Sequence, residues 1–267
     1  MDIATDKYDK ELTRIKQLGM IMLCCGLFSG CTKNTEREQP TLNLYVAASL
    51  TEAIQEIGDA FSKKTGVYLV YNFGGSGALA RQMIAAPRGD LFFSANIDWM
   101  ERAVAADAID SSSVRTILAN QLVLVAHRDA NLQIDSPDDL CRESLKLLSI
   151  GDPAYVPAGA YAKQWLEGIS CGESTLWDKF KSAVVPAIDV RAALAQVLSS
   201  HEALGIVYLS DYLSRAEQLQ NLYSVPLEAG PEIRYAVGIL SKAESPTLAA
   251  EFVDYLQSAP AVTIFEK

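Results

Sequence analysis

The chain has 267 residues, of which 49% are hydrophobic and 21% are charged, and its formal net charge is −10. This composition is typical of one large or two smaller globular domains and excludes an intrinsically disordered chain. The sequence contains no cluster of lysine and arginine side chains, so it predicts no nucleic-acid partner.

The N-terminal segment has the features of an export signal. Residues 18–29 form an uncharged apolar run that follows several basic residues. The run is shorter than the ~20 apolar residues that a transmembrane helix needs, and it has the length of a signal-peptide core. It ends in Ser29-Gly30-Cys31, which resembles the lipobox of bacterial lipoproteins and implies cleavage before Cys31 and lipidation of its thiol. An uncleaved anchor helix is the alternative, and both hypotheses predict an extracytoplasmic chain.

We therefore predict a lipoprotein signal peptide at residues 1–30. The following residues, 31–40, are polar and predict a flexible tether. Together these segments predict a folded region that starts near residue 41 and is held to the membrane by its lipid anchor.

From residue 42 onwards, short β-branched or aromatic runs alternate with longer helical stretches. Strands are predicted at residues 42–47, 67–73, 91–94, 122–126, 146–150 and 205–209. Helices are predicted at residues 49–64, 79–86, 97–105, 160–168 and 190–198, and a helix start at residues 137–141. Strands that alternate with helices predict largely parallel sheets in an α/β architecture.

Four junctions that follow predicted strands are rich in small residues. They lie at residues 48–49, 75–76, 157–159 and 189–190. Ligands of α/β proteins bind at such strand ends, and the start of a helix offers unpaired backbone N–H groups and a positive dipole. The junctions therefore favour an anion-binding site.

Ser49 begins one predicted helix in the pattern Ser49-Leu50-Thr51-Glu52. This pattern matches the S-x-x-E capping box, in which the serine hydroxyl accepts a hydrogen bond from a backbone N–H group three residues on. We therefore expect Ser49 to cap the helix, and a bound ligand would compete for the same hydroxyl.

The glycine-rich turn around Ser76 partly matches two known motifs. Residues 75–80 fit the dinucleotide fingerprint, but they follow the second predicted strand and lack the spacing to an acidic residue that a nucleotide site needs. Residues 74–78 nearly fit the nucleophile elbow of serine hydrolases, which also need a histidine further along the chain. A serine hydrolase that uses Ser76 is therefore one alternative function.

The chain has two histidines, His127 and His201. The first follows an apolar strand and the second falls in a polar turn, so both are predicted to lie in surface loops. No spaced cluster of cysteine, histidine and acidic residues accompanies them, so the sequence predicts neither a metal-coordinating site nor a cofactor.

The five cysteines fall into two groups. Cys24 and Cys25 lie in the apolar run, and Cys31 is the predicted lipidation site. Cys141 and Cys171 remain, and their spacing does not fit a zinc site, so they form either a disulfide or two buried thiols. In the predicted α/β unit, Cys141 precedes a strand and Cys171 follows the next helix. Both would then lie at the end of the sheet far from the ligand junctions, which favours the disulfide.

Taken together, the segments at these junctions resemble the periplasmic molybdate-binding proteins (ModA type) of ABC transporters. The matching segments are residues 47–51, 73–82, 90–95, 151–159, 189–191 and 204–208. The resemblance runs from residue 42 nearly to the C-terminus. An ordered series of matches is far more specific than any single motif above.

In that family, two lobes hold a dehydrated oxyanion with hydroxyl and backbone N–H groups. The resemblance implies that Ser49 and Ser76 offer side-chain and backbone donors from the first lobe. It implies that Ala158 and Val190 each give a backbone N–H group, and Tyr208 its phenol, from the second. No lysine or arginine belongs to this set, and preorganised neutral dipoles can hold a dianion without the desolvation cost of an ion pair.

The resemblance also implies a two-lobed fold of the type II periplasmic-binding-protein class, in which each lobe is a mainly parallel sheet flanked by helices. Residues 41–120 and 226–267 would form lobe 1, and residues 121–225 would form lobe 2. The chain would cross between the lobes near residues 120–121 and 225–226. The glycines beside Ser76 are expected to leave a flexible loop there.

The function implied is that of an extracytoplasmic, monomeric receptor. It would capture molybdate or tungstate and deliver it to an ABC permease and its ATPase, without being an enzyme. A receptor for another small oxyanion, such as sulfate, is an alternative. Phosphate is disfavoured because it carries a proton near neutral pH, and the implied shell contains no carboxylate acceptor. A sensory domain of the same fold is a third hypothesis, but no DNA-binding or kinase segment accompanies it.

Overall fold

The computed structural model describes residues 39–130 and 132–266, which form an α/β structure with two five-stranded sheets. The strands are β1 (Thr41–Ala47), β2 (Tyr68–Gly74), β3 (Leu91–Ser94), β4 (Arg115–Asn120), β5 (Leu122–His127), β6 (Leu147–Gly151), β7 (Ser170–Cys171), β8 (Ser174–Thr175), β9 (Val184–Ala187), β10 (Ala203–Tyr208), β11 (Leu219–Ser224) and β12 (Ile233–Ile239). The helices are α1 (Thr51–Thr65), α2 (Ser76–Ala85), α3 (Ile97–Ala105), α4 (Pro137–Leu140), α5 (Pro157–Glu167), α6 (Leu176–Phe180), α7 (Val190–Leu198), α8 (Leu209–Leu213), α9 (Pro246–Tyr255) and α10 (Ala259–Phe265). The predicted α/β class is confirmed.

The two sheets have the same topology. The first has the strand order β2-β1-β3-β12-β4, and the second has the order β11-β5-β10-β6-β9. We call the first sheet with α1–α3, α9 and α10 the first lobe. The second sheet, with α4–α8, is the second lobe. The short strands β7 and β8 form a separate hairpin.

Each sheet is mixed, which refines the prediction of mainly parallel sheets. Four strands of each sheet run in one direction, but β12 in the first and β5 in the second run against both neighbours. Each of these two strands is the first that the chain forms after crossing from the other sheet. A strand that enters from the opposite lobe meets the sheet from its ligand-side edge, so it runs antiparallel to strands that end there.

The core follows from the alternation of side chains along the strands. In β1, Leu44 and Val46 pack into the main hydrophobic cluster, while Tyr45 between them packs into a smaller cluster on the other face. In β3, Phe92 likewise faces away from the main cluster. Residues 122–126 of β5 are almost completely buried, as expected for a strand covered on both faces. The first sheet is therefore covered by apolar side chains on both faces.

The start of α1 differs from the prediction. The helix begins at Thr51, and the residues before it, Ala48–Leu50, form a 3-10 turn. Ser49 therefore does not form the expected capping box with Glu52, and no side chain caps this helix. The prediction failed because tertiary partners outcompete the local ones: the Ser49 hydroxyl contacts Tyr235, and Glu52 pairs with Arg191.

Two other helices, α2 and α5, begin three residues earlier than predicted. Small residues and a proline at these starts give no apolar periodicity, although proline is favoured in the first turn. The earlier starts matter because they place Ser76 and Ala158 in the first turns of their helices. None of the helices in the described part of the chain is long and apolar enough to cross a membrane.

Cys141 and Cys171 are joined by a disulfide in this structure, with their Cα atoms 5.5 Å apart. Cys141 directly follows α4, and Cys171 ends β7. The predicted signal peptide, the tether up to residue 38 and Cys31 lie outside the described residues.

Candidate functional site

A small, tightly closed cavity lies where the carboxyl ends of strands from both sheets meet. Its lining comes from the ends of β1, β2 and β3 in the first lobe and from the starts of α5 and α7 in the second. The lining residues are Ala47, Ala48, Ser49, Gly74, Gly75, Ser76, Ala95, Val156, Pro157, Asp189 and Val190. The structure thus brings the small-residue junctions of the sequence together, as expected for ligand sites at strand ends.

Ser76 is the first residue of α2 and is almost completely buried. Its hydroxyl oxygen accepts a hydrogen bond of 3.0 Å from the backbone N–H of Ala95, at the end of the neighbouring strand β3. Because this bond occupies an acceptor site of the oxygen, the hydroxyl proton remains for another partner. Ser76 is therefore poised to donate into the cavity.

Ser49 is oriented by a chain of hydrogen bonds that the sequence did not reveal. The amide nitrogen of Asn120 donates to the phenol oxygen of Tyr235 (3.1 Å), which lies 3.0 Å from the hydroxyl of Ser49. In the arrangement that continues this chain, the Tyr235 phenol accepts from Asn120 and donates its own proton to the Ser49 oxygen. The Ser49 proton is then also available to the cavity.

The second lobe contributes the starts of two helices. Val190 is the first residue of α7 and Ala158 the second residue of α5, and both are buried. The first N–H groups of a helix have no partner within it and carry its positive dipole end. Val190 lines the cavity, whereas Ala158 lies behind Pro157 and does not. The carboxylate of Asp189 is engaged as the cap of α7, accepting from the Ala192 N–H at 2.8 Å.

Tyr208 ends β10 and is 1% exposed, and within the described residues its phenol oxygen makes no hydrogen bond of good geometry, although the phenol of Tyr235 approaches it. A buried polar group without a partner is costly, so an orphaned phenol indicates a ligand position. Tyr208 does not line the cavity itself, but its ring lies 5.7 Å from the ring of Tyr235, which contacts Ser49. The structure therefore brings Tyr208 next to the site through one intervening residue.

The tyrosines at the site stay protonated. Burial raises the pKa of Tyr208 well above its usual value, and it raises the pKa of Tyr235 likewise. Both phenols therefore act as neutral donors. Two serine hydroxyls and the start of α7 are donors in the cavity lining, which contains no lysine or arginine among the described residues, while the Tyr208 phenol and Ala158 lie outside this lining. Such a set matches an anion that carries no proton of its own.

The glycines beside Ser76 allow the two lobes to touch. A Cβ atom at Gly75 would lie 2.8 Å from the carbonyl oxygen of Ile188, and one at Gly77 would lie 2.4 Å from that of Tyr155. The N–H of Gly77 donates a 3.0 Å hydrogen bond to the same Tyr155 oxygen. The expectation of a flexible loop is therefore wrong, since Gly77 belongs to α2 and the glycines serve close approach across the cleft.

Arg191, next to Val190, links the two lobes. Its guanidinium forms an ion pair with Glu52 of α1, across the cleft. Its Nε lies 3.0 Å from the carboxylate of Asp211, and its Nη1 donates to the hydroxyl of Ser214 at 3.0 Å, both in the second lobe. The arginine that follows a predicted donor thus connects this donor's helix to the opposite lobe.

Asp211 is completely buried beneath this arginine. Burial raises the pKa of its carboxyl group to about 7, although the positive charge of Arg191 opposes the shift. Sequence analysis missed Asp211, as it missed Asn120 and Tyr235. A lone polar residue in an apolar strand or short helix gives no periodic signal, and only its tertiary partners reveal its role.

The serine hydrolase alternative finds no support at Ser76. His127 and His201 lie at the end of β5 and just before the start of β10. Tyr208 marks the opposite end of β10, at the cleft, so neither histidine is close to Ser76. The dinucleotide fingerprint around Ser76 likewise finds no support, because this glycine-rich turn contacts the opposite lobe through the Gly77–Tyr155 hydrogen bond.

Comparisons with known proteins identify the family of this chain. The family model for bacterial extracellular solute-binding proteins matches residues 42–267. The molybdate-binding protein ModA of Escherichia coli is 36% identical over 239 residues, covering 88% of this chain and 90% of that protein. ModA of Haemophilus influenzae is 30% identical, covering 93% and 94% of the two chains.

A solved structure shares the fold. The periplasmic molybdate-binding protein of Azotobacter vinelandii superposes with a TM-score of 0.75 at 22% identity, covering 84% of this chain and 96% of that one. The two-lobed architecture of the type II class is therefore confirmed. The match to the family model and the identity to ModA over most of both chains establish membership. The chain belongs to the bacterial extracellular solute-binding proteins and, among them, to the molybdate-binding protein family.

Proposed function

We propose that this chain captures molybdate or tungstate in the inter-lobe cavity and delivers it to the permease and ATPase of an ABC importer. The observation that carries the proposal is the group of buried hydroxyl donors at the cleft: Ser49 and Ser76 line the cavity, and the phenol of Tyr208 lies behind Ser49 next to Tyr235. The ligand named in the two ModA relatives is consistent with it.

The residues proposed to bind the oxyanion are Ser49, Ser76, Ala158, Val190 and Tyr208. The two hydroxyls and the phenol donate from side chains, and the helix starts donate from the backbone. Closure of the lobes removes water, which strengthens each of these bonds. Neutral dipoles fixed by the fold then hold the dianion, and no side chain coordinates the metal atom directly.

Selectivity follows from the size of the anion and from the scarcity of acceptors, because the carboxylate of Asp189 in the cavity lining is engaged as the cap of α7. Molybdate, tungstate and sulfate are all tetrahedral, but sulfate is smaller and would leave stretched bonds to a fixed ring of donors. Each charge-assisted bond is worth about 1.5–3 kcal/mol, so two or three poor contacts reduce affinity by several factors of ten. Phosphate carries a proton near neutral pH, and none of the proposed ligand-binding groups is an acceptor for that proton.

Calorimetry with molybdate, tungstate, sulfate and phosphate tests this proposal. We expect tight binding of the first two and much weaker binding of the others. Equal affinity for sulfate would show that the chain is a receptor for another oxyanion. We also propose that the chain is not an enzyme, so a panel of ester substrates should show no turnover that depends on Ser76.

We further propose that the exported chain is a monomeric lipoprotein anchored through Cys31. The apolar run that ends in Ser29-Gly30-Cys31, with a polar tether behind it, supports this. Mass spectrometry of membrane-extracted protein should show a diacylglyceryl group on an N-terminal Cys31. An unmodified N-terminus at another residue would contradict it.

A further inference from the structure

The two histidines of the chain meet at the surface of the second lobe. His127 ends β5, and His201 lies in the turn before β10. Because β5 and β10 pair antiparallel, with Leu204 opposite Ala126, the end of one strand lies beside the start of the other. The imidazole rings are 4.0 Å apart between centroids, with their planes at 70°. The oxyanion site uses neither of them.

Asp129 brings a carboxylate to the same place. The chain turns back after β5, where the Ala130 N–H donates to the His127 carbonyl at 2.9 Å. One Asp129 oxygen then lies 3.6 Å from Nδ1 of His127, and the Asp129 N–H donates to the same nitrogen at 3.2 Å, so a cation would replace this hydrogen bond. His127, Asp129 and His201 can each offer one ligand atom such that all three atoms lie within 4.8 Å of one another.

We propose that these three residues form a surface site for a divalent transition-metal cation, with Zn²⁺ as the representative. Two imidazoles and one carboxylate suit a cation of intermediate softness. Zinc–ligand distances of about 2.0–2.2 Å require the three atoms to approach each other by roughly 1 Å. Asp129 and His201 are exposed and lie in turns, so rotation of their side chains can supply this movement, while His127 is held on its strand.

The charges around the cluster permit such a site. Lys146 is paired with Glu202, and the guanidinium of Arg128 donates to the carbonyl of Glu217 at 2.7 Å, so neither is directed at the imidazoles. Sequence analysis had found no metal site because these ligands are far apart along the chain. Three protein ligands leave a coordination position for water or for a group of another molecule.

The proposed cation site is separate from the oxyanion cavity. Tyr208 and the two histidines lie at opposite ends of the β5–β10 pair, which spans five residue steps or about 16 Å. Binding of the cation and of the oxyanion should therefore be independent. Failure of either proposal leaves the other intact.

The histidine rings themselves report on the site. The full chain, carrying no histidine tag, is titrated with Zn²⁺ while the ring ¹⁵N resonances are followed by NMR. The signals of both histidines should shift together and saturate at one equivalent. Zinc bound at cysteines elsewhere would leave these signals unchanged. Rings that shift with different midpoints, or not at all, would overturn the proposal.

Two variants and a matched control sharpen the test. His201→Gln should lower the Zn²⁺ affinity seen at His127 by about tenfold or more, and Asp129→Asn should lower it in the same direction. Glu228→Gln removes an exposed carboxylate after β11, near the end of β5 that lies away from His127, and should leave the affinity unchanged. Molybdate affinity should be the same in all three. Equal Zn²⁺ affinity in His201→Gln and Glu228→Gln would contradict the assignment.

Discussion

At the scale of single residues, the positions of the hydroxyl protons determine which anions the proposed site can bind. Ser76 accepts from Ala95, and Ser49 is oriented by Tyr235, so each hydroxyl keeps its proton for a ligand. The Tyr208 phenol makes no hydrogen bond of good geometry with any of the described residues. Each of these groups can donate to an oxyanion and none needs to accept, which is why a deprotonated dianion fits better than a protonated one.

Tyr208→Phe should weaken molybdate binding by one charge-assisted hydrogen bond. The loss is about 1.5–3 kcal/mol, or roughly ten- to a hundredfold in dissociation constant by calorimetry. Thermal stability of the unliganded variant should fall little, because within the described residues the phenol makes no hydrogen bond of good geometry. Tyr223→Phe, at a tyrosine that stacks on Trp165, is the control and should bind as the parent does. An unaffected Tyr208→Phe variant would show that the site assignment is wrong.

Asp211 should make stability depend on pH. Its pKa is about 7 in the folded chain and near the ordinary 3.8 when unfolded, so the folded state holds the proton between these values. Stability from this group is complete below about pH 4 and is lost as the pH rises through about 7. Urea unfolding at pH 5 and pH 8 should therefore show a smaller loss with rising pH in Asp211→Asn than in the parent.

A control separates this effect from other carboxylates. Asp178 is exposed, and hydrogen bonds from Lys181 and Thr175 lower its pKa. Its contribution is lost only at acidic pH, outside the range measured. Asp178→Asn should therefore show the same change between pH 5 and pH 8 as the parent. Parallel pH profiles for Asp211→Asn and the parent would contradict the role given to Asp211.

At the scale of elements, the site is built from strand ends and helix starts. The starts of α2 and α7 face each other across the cavity, and Arg191 in the first turn of α7 reaches α1 of the opposite lobe. The same helix thus carries a proposed ligand donor and an inter-lobe ion pair. Ligand capture and lobe closure are therefore linked through one element.

Glu52→Gln should speed the release of molybdate. The Glu52–Arg191 pair is partly exposed and is worth about 0.2–1 kcal/mol, so dissociation should accelerate by up to about fivefold. Stopped-flow tryptophan fluorescence measures the rate, since Trp99 lies beside the inter-lobe contact at Gly77. Glu167→Gln breaks the Lys163 pair within one helix of the second lobe and should leave the rate unchanged. Equal rates in both variants would exclude a role of the pair in closure.

At the scale of the whole molecule, two similar lobes are connected by two crossings of the chain. Two contacts of Tyr155 join the lobes near the cavity. Its carbonyl oxygen accepts a hydrogen bond from the Gly77 N–H, and the guanidinium carbon of Arg81 lies 3.9 Å from the centroid of its ring. Asn120, at the first crossing, bonds both Tyr235 and Ser210. These contacts hold the two lobes against each other around the cavity.

The Cys141–Cys171 disulfide should stabilise the second lobe. It closes a loop of 30 residues, which corresponds to about 3 kcal/mol of unfolding free energy. Cys141→Ala/Cys171→Ala should be less stable by this amount in urea. Reductant should destabilise the parent and not the variant, and it should release two additional thiols in the denatured parent. Release of no additional thiols would show that the disulfide does not form.

The sequence by itself determined the local elements and the chemistry of the junctions. The bounds predicted for β3, α3 and α7 are those observed, because buried strands and amphipathic helices carry their period in adjacent residues. No element was predicted after residue 209. The edge strand β11 is partly polar and gives a weak pattern, and β12 comes after a crossing that local periodicity does not reveal.

Only the tertiary structure decided which side chains face each other. Ser49 and Tyr235 are 186 residues apart, and Asn120 joins them from a third segment. Arg191 and Glu52 are 139 apart, and His127 meets His201 across two antiparallel strands. Local periodicity reports whether a residue is buried but not what it is buried against. The proposed oxyanion donors could therefore be named from helix starts and family resemblance, while the side chains that contact them and the histidine cluster required the fold.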